Sequence, residues 1–233
     1  MRIDVRKTYK LFIGGQFPRS ESGRSYELLS AKKKFLANPA LASRKDLRDA
    51  VVAARAASEK WASATAFNRS QILYRIAEMM EGRRSQFIEE VVAQEGLSVA
   101  AATKEVDAAI DLWVWYAGWC DKVSTIYGAT NPVSGSFYNF TTPESMGVVA
   151  TFIEGKTALL DVVQGIAPII AGGNVVVAIA HEKFPLSAMT LAEVIATSDV
   201  PAGTVNILTG KASELAPWVG SDRKSTRLNS SHT

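Results

Sequence analysis

The chain predicts an α/β fold: a Rossmann-type parallel sheet set behind an N-terminal helical layer. Three observations carry this expectation. Continuous β-branched runs at 147–153, 174–179 and 204–208 alternate with helical stretches at 159–171 and 186–197, the order that builds parallel βαβ units. Between Ser43 and about Lys122, apolar residues recur at helical spacing with no strand pattern between them. The 233 residues are 47% hydrophobic and 21% charged, enough for one large or two small domains, which excludes collagen-like, disordered and disulfide-stapled classes.

The elements follow in order. The opening YKLFIGGQFPRSESGRSYEL alternates around Gly14-Gly15 and Ser22-Gly23 and reads as a hairpin-like cover strip. Ser43 with Asp46 three residues on forms a capping-box start, and Leu47, Val51, Ala54, Ala57 and Trp61 supply the buried stripe of a first helix. A second helix is expected from about Asn68, carrying Ile72, Leu73, Ile76, Met79, Met80, Phe87, Ile88, Val91 and Val92, with Gly96 as its stop. A third runs from about Ser98 to Lys122, with Val106, Ala109, Ile110, Trp113, Val114 and Ala117 on one stripe. After turns at Asn131-Pro132 and Ser134-Gly135, SFYNFTT alternates like an exposed or edge strand, and the α/β units follow.

The most apolar stretch, Ala158 to Ala180, is long enough to span a bilayer. Asp161, Gln164, Pro168, Gly172, Gly173 and Asn174 instead fit a buried helix, a turn and a buried strand. Cys120 is the only cysteine, so no intrachain disulfide forms, and the basic start MRIDVRKTYK has no apolar run after it. A reducing, cytoplasmic setting is expected. Lys and Arg total 26 against 23 Asp and Glu, a formal charge of +3 that gives no strong reason to expect nucleic acid as a partner.

The chemistry legible from residue types is sparse. No GxGxxG follows the first buried strand, and Gly155-Lys156-Thr157 lacks the upstream glycine of a phosphate-cradling loop, Ala150 standing in its place. His181 has no partner at ligand spacing, so no metal site is expected. Glu182 sits where an acidic residue can bind a ribose hydroxyl in this fold, although an exposed glutamate at a strand end is also ordinarily just solvated. Trp113, Trp115, Tyr116 and Trp119 read as core or subunit interface, and Cys120 beside them as a buried, inert thiol.

GVVA at 147–150, IAPIIAGGNVVV at 166–177, PLSAMTLAEV at 185–194 and PAGTVNILTG at 201–210, in this order of elements, resemble the N-terminal half of the aldehyde dehydrogenase superfamily from about Lys10 to Gly220. The resemblance implies NAD or NADP as cofactor and a cysteine attacking an aldehyde, with an asparagine amide donating to the oxyanion. Lys156 occupies that asparagine's position, and Glu182 is what remains of the Lys and Glu that hold the adenosine ribose. The nucleophilic cysteine and general-base glutamate of the family belong to a region beyond these residues. The segments KLFIGGQFPRSESGRSY, NRSQILYRIAEMMEGRR, YAGWCDK, NPVSGSFYNF and ELAPWVG resemble more narrowly the degenerate second module of family sixteen. That implies a non-catalytic module, a homo- or hetero-oligomer with a catalytic aldehyde dehydrogenase, paired through the SFYNF strand and the Trp-rich helix. The alternative is a truncated record of an NAD(P)-dependent aldehyde dehydrogenase.

On this basis the chain divides into a hairpin and helical layer (1–127), an oligomerisation strand segment (128–142), the first part of the cofactor-binding sheet (143–221) and an artefactual tail (222–233). The tail is set apart because Asp222 to His232, DRKSTRLNSSH, translates a common sequencing-library adapter in order. Without Asp222, Arg223, Lys224 and Arg227 the charge is nearly balanced. A parallel sheet ending at its third strand would also expose an unpaired edge.

Overall fold

Helix formation begins where the sequence offers a reciprocal cap. At the start of α1 (Arg44–Ala62), Ser43 Oγ accepts the Asp46 N–H at 3.3 Å while Asp46 Oδ2 accepts the Ser43 N–H at 2.8 Å. The buried Asp46 carboxylate also accepts from the Ser20 hydroxyl at 2.7 Å and the Glu21 N–H at 3.1 Å, so one carboxylate both starts α1 and pins the N-terminal strip to it. In this computed structural model Ile3, residues 7–221 and residues 227–230 are described.

The strip turns at Gly14-Gly15, closing an Ile13↔Gln16 bridge, and Phe12 pairs antiparallel with Ile207 of the sheet. Beyond it β1 (Leu28–Leu29) and β2 (Phe35–Ala37) form a short antiparallel hairpin. The single helix expected from Asn68 to Gly96 is two: α2 (Ala66–Glu81), capped by Thr65, and α3 (Arg84–Glu95). The break falls at Gly82-Arg83, where glycine has low helix propensity and Arg83 leaves helical geometry; the Arg83 guanidinium meanwhile bonds Gln86 and Glu193. Gly96 closes α3 at φ 76°, as a left-handed stop should.

Helix α4 (Val99–Trp119), capped by Ser98, ends before Lys122 and buries Ala102, Glu105, Val106, Ala109, Ile110, Trp113 and Ala117. Val114 lies off that stripe, 42% exposed, because it follows Trp113 by a single residue and so by about 100° around the helix. After α5 (Val123–Tyr127), β3 (Ala129–Thr130) and β4 (Phe140–Thr141) make a two-stranded arm. The strand expected over SFYNFTT is confined to Phe140–Thr141, since the arm has no larger sheet to extend it and its loop is closed by the Asn131 amide on Asn139 and Thr141.

The sheet contains β5 (Val148–Phe152), β6 (Val175–Ile179) and β7 (Val205–Leu208), every residue buried, joined by α6 (Leu160–Ala171) and α7 (Leu186–Ala196). Following α8 (Ala212–Ser221), β8 (Arg227–Ser230) lies parallel to β5, giving the order β7-β6-β5-β8. This corrects the expectation of an unpaired edge. An edge strand is a backbone template, and the N–H and C=O groups of β5 pair with an extended segment whatever its side chains. Helix α1 packs across β5, β6 and β7 and against α8, and α4 bridges α2, α3 and α6. One apolar core, including Phe12, Trp61, Phe87, Trp113 and Ile166, joins helical layer and sheet. The apolar stretch 158–180 divides into α6, a turn at Gly172-Gly173 and β6, and no described helix is long and apolar enough to cross a membrane.

Candidate functional site at the C-terminal end of the sheet

The crevice beyond the C-terminal ends of β5 and β6, where both β–α loops leave the sheet, is the usual ligand position in open α/β sheets. Two loops frame it: 153–159, between β5 and α6, and 180–185, between β6 and α7.

The first turn of α6 would leave its N–H groups free for an anion. Here the chain's own side chains, three of them carboxylates, take N–H groups of that turn and of the loop residues just before it. Asp161 Oδ2 accepts the Thr157 N–H at 2.7 Å, and Thr157 Oγ1 accepts the Asp161 N–H at 3.0 Å. Glu95, from the end of α3, accepts the Ala158 N–H at 2.6 Å. Glu105, from α4, accepts the Leu159 N–H at 2.9 Å and the Leu160 N–H at 3.4 Å. Asp161 also presses against Gly155, where a Cβ would fall 1.9 Å from its Oδ2. Burial pushes the Glu95 carboxyl up to about 7, the Glu105 and Asp161 charges adding to the rise and the Ala158 N–H opposing it.

On the second loop, the Tyr26 hydroxyl donates to the Glu182 carbonyl at 3.1 Å, while the Glu182 side chain is exposed. Burial, with the Glu182 charge, raises the Tyr26 phenol above its ordinary value. His181 stacks on Phe184 with centroids 4.7 Å apart, and its Nδ1 accepts the Lys183 N–H at 3.0 Å. Burial first, then Lys183, lowers the His181 pKa against the pull of Asp161, Glu154 and Glu182. A depression of about 460 Å³, lined by Tyr26, Gln94, Glu95, Glu182, Lys183 and Phe184 among others, opens beside this loop. Lys156 is exposed on the first loop. Among the described residues no group of three His, Cys, Asp or Glu side chains is arranged for a metal ion.

Gly155, Gln94, Glu95, Glu105 and Asp161 were not legible as site residues. Signals existed for two of them. A carboxylate in the last turn of α3 opposes the helix dipole and so suggests use elsewhere, and Glu105 interrupts an otherwise apolar stripe. Cys120 is buried, its thiol pushed up to about 11 chiefly by burial.

The model of the aldehyde dehydrogenase family matches residues 18–225. An aldehyde dehydrogenase of Aspergillus niger is 33% identical over 203 residues, 86% of this chain and 40% of that protein. The cytosolic 10-formyltetrahydrofolate dehydrogenase of Mus musculus is 31% identical over 220 residues, 91% of this chain and 24% of that protein. Among solved structures, the NAD+ complex of an aldehyde dehydrogenase from Bacillus cereus superposes with TM-score 0.91 at 27% identity, covering 96% of this chain and 46% of that one. An NAD-dependent aldehyde dehydrogenase from Sinorhizobium meliloti, at 22% identity and TM-score 0.91, shares the fold. The chain thus spans less than half the length of these relatives.

Proposed function

The chain belongs to the aldehyde dehydrogenase family, and from that premise we propose that it serves as a non-catalytic dehydrogenase-fold module pairing with an active aldehyde dehydrogenase. One observation carries the reading: Asp161, Glu95 and Glu105 take the N–H groups of Thr157, Ala158 and Leu159, placing three carboxylates at the head of α6. Negative charge there disfavours a developing oxyanion nearby. Lys156, at the position the resemblance gives to the oxyanion-binding asparagine, is an exposed ammonium on a flexible four-carbon stem, without the fixed direction of an amide. Cys120, buried with its thiol raised, is no nucleophile.

The crevice does not fit the dinucleotide that the family implies. Glu182 can reach a ribose hydroxyl, but a diphosphate at the first β–α turn would meet N–H groups already bonded to carboxylates. Pairing is supported by the arm, where Phe137 and Tyr138 are each 79% exposed, and by Trp115, exposed on α4.

A second reading, part of an NAD(P)-dependent aldehyde dehydrogenase, is favoured by the chain's spanning 40% of its Aspergillus relative. Sequencing the locus and assaying the full-length product for aldehyde-dependent NAD(P) reduction separates the two. No reduction by the product alone supports the first reading; turnover, with a cysteine and glutamate encoded downstream, establishes the second.

A further inference from the structure

Two adjacent side chains at the end of α3 each hold one of the two crevice loops. The Gln94 side chain is buried. Its Oε1 accepts the Leu186 N–H at 2.8 Å, satisfying the first turn of α7, and its Nε2 donates to Ser187 Oγ at 2.8 Å. Glu95, the next residue, holds the other loop through the Ala158 N–H at 2.6 Å. The chain then leaves α3 at Gly96, whose left-handed conformation and close approach to Ala31, where a Cβ at 96 would fall 2.6 Å from the alanine methyl, fix the end of the helix against the β1–β2 hairpin. The Gln94–Glu95 step is therefore anchored on both sides of the crevice.

The two arms differ in chemistry. Gln94 is neutral at every pH. Glu95 shares the head of α6 with Glu105, their oxygens on successive N–H groups. The charged groups around it are mostly of its own sign: Glu105 from α4 and Asp161 from α6, with Glu182 and Glu27 lining the same depression. Tyr26 and His181 are neutral at physiological pH, and Lys156 and Lys183 are exposed; among the described residues no cation is a principal source of the Glu95 shift.

We propose that the Gln94–Glu95 step is a two-armed clamp on the crevice loops, with Gln94 holding the β6–α7 loop at all pH values and Glu95 holding the β5–α6 loop most firmly when a proton bridges it to Glu105. Loss of that proton makes Glu95 a stronger acceptor for the Ala158 N–H but sets like charges against each other at the head of α6, and the repulsion drives the pair apart and loosens the first loop alone. Both are positioning residues. The clamp concerns loop order, so its test reads backbone amides and not turnover, and it stands or falls independently of the non-catalytic reading.

The test is amide-resolved NMR and hydrogen exchange on the full chain between pH 5 and 8.5. The Ala158 amide should titrate with a midpoint near 7, as the raised Glu95 carboxyl requires, and protection at 158–160 should fall severalfold across that range after correction for intrinsic exchange. Leu186 protection should stay flat. Glu95→Gln, which keeps the acceptor and supplies a permanent donor to Glu105, should abolish the Ala158 titration and retain protection at pH 8. Glu95→Ala should lose protection at every pH, and Gln94→Ala should lose it at Leu186 only. A wild-type Ala158 midpoint near the ordinary value of 4.5 would overturn the proposal, as would an unchanged titration in Glu95→Gln. Should Glu95→Gln fail to fold, Glu105→Gln serves: it must lower the Ala158 midpoint, and an unmoved midpoint contradicts the shared proton.

Discussion

Gly155 lies against the Asp161 carboxylate so closely that a Cβ at 155 would fall 1.9 Å from Oδ2 and 2.1 Å from Cγ. The loop can follow this path only with glycine at 155 or with the carboxylate displaced. Gly155→Ala should therefore cost about 1–3 kcal/mol by overpacking, read as a lower midpoint in urea. Asp161→Ala alone should cost about 1 kcal/mol for the lost cap on Thr157. The double variant should cost less than the sum, because removing the carboxylate makes room for the methyl group; strict additivity would contradict the contact.

Stability should carry a pH signature of Glu95. Its carboxyl is raised from 4.5 to about 7 by burial first, then Glu105 and Asp161, so the folded chain favours the protonated form. Between pH 4.5 and 7 unfolding releases that proton, and this contribution is present below 4.5 and lost as pH rises through 7. His181 works oppositely: its lowered pKa means that the unfolded chain binds the proton more readily, so its share is lost as pH falls below about 6.5. The difference between wild type and Glu95→Gln isolates the first term. The variant should gain melting temperature at pH 8 relative to wild type, by a few degrees at most because Glu95 is partly exposed and screened, and the gain should vanish by pH 4.5. A gain equal at both pH values would assign it to packing instead.

Cys120 should be silent to thiol reagents in the folded chain. Burial raises its pKa to about 11, leaving on the order of one thiolate in a thousand at pH 8, and the surrounding core blocks access. A chromogenic disulfide should label it at least about 100-fold more slowly than a free thiol and fully in guanidinium. Rapid native labelling would show that the end of α4 opens.

Tyr138→Asp on the arm should separate folding from association. With 79% of Tyr138 exposed, thermal stability should change by no more than about 0.5 kcal/mol. Sedimentation should show self-association, or binding to a catalytic dehydrogenase partner, weakened by about tenfold or more. Equal association by wild type and variant would remove the arm from the interface.

The parts of this molecule that local chemistry determines were legible in the sequence. The Ser43–Asp46 box, the Gly96 stop and the alternation of β-branched runs with helical stretches each depend on residues a few positions apart, and each stands in the structure. The break at Gly82-Arg83 was hidden because the apolar period continues through it, from Met79 and Met80 to Phe87. The head of α6 was hidden for a different reason. Its partners lie 63 and 54 residues away, so Glu95 and Glu105 acquire meaning only once α3 and α4 pack beside the sheet. Lys156 and Glu182 could be placed by resemblance, but not the carboxylates that bond the N–H groups at the head of α6.

Calorimetric titration of NAD+ into the full-length gene product, with the Bacillus cereus relative as a positive control, tests the central claim most directly. With the N–H groups at the head of α6 bonded to Asp161, Glu95 and Glu105, binding should be absent or far weaker than in the control. Micromolar affinity in the gene product would contradict the claim that this crevice has lost its cofactor.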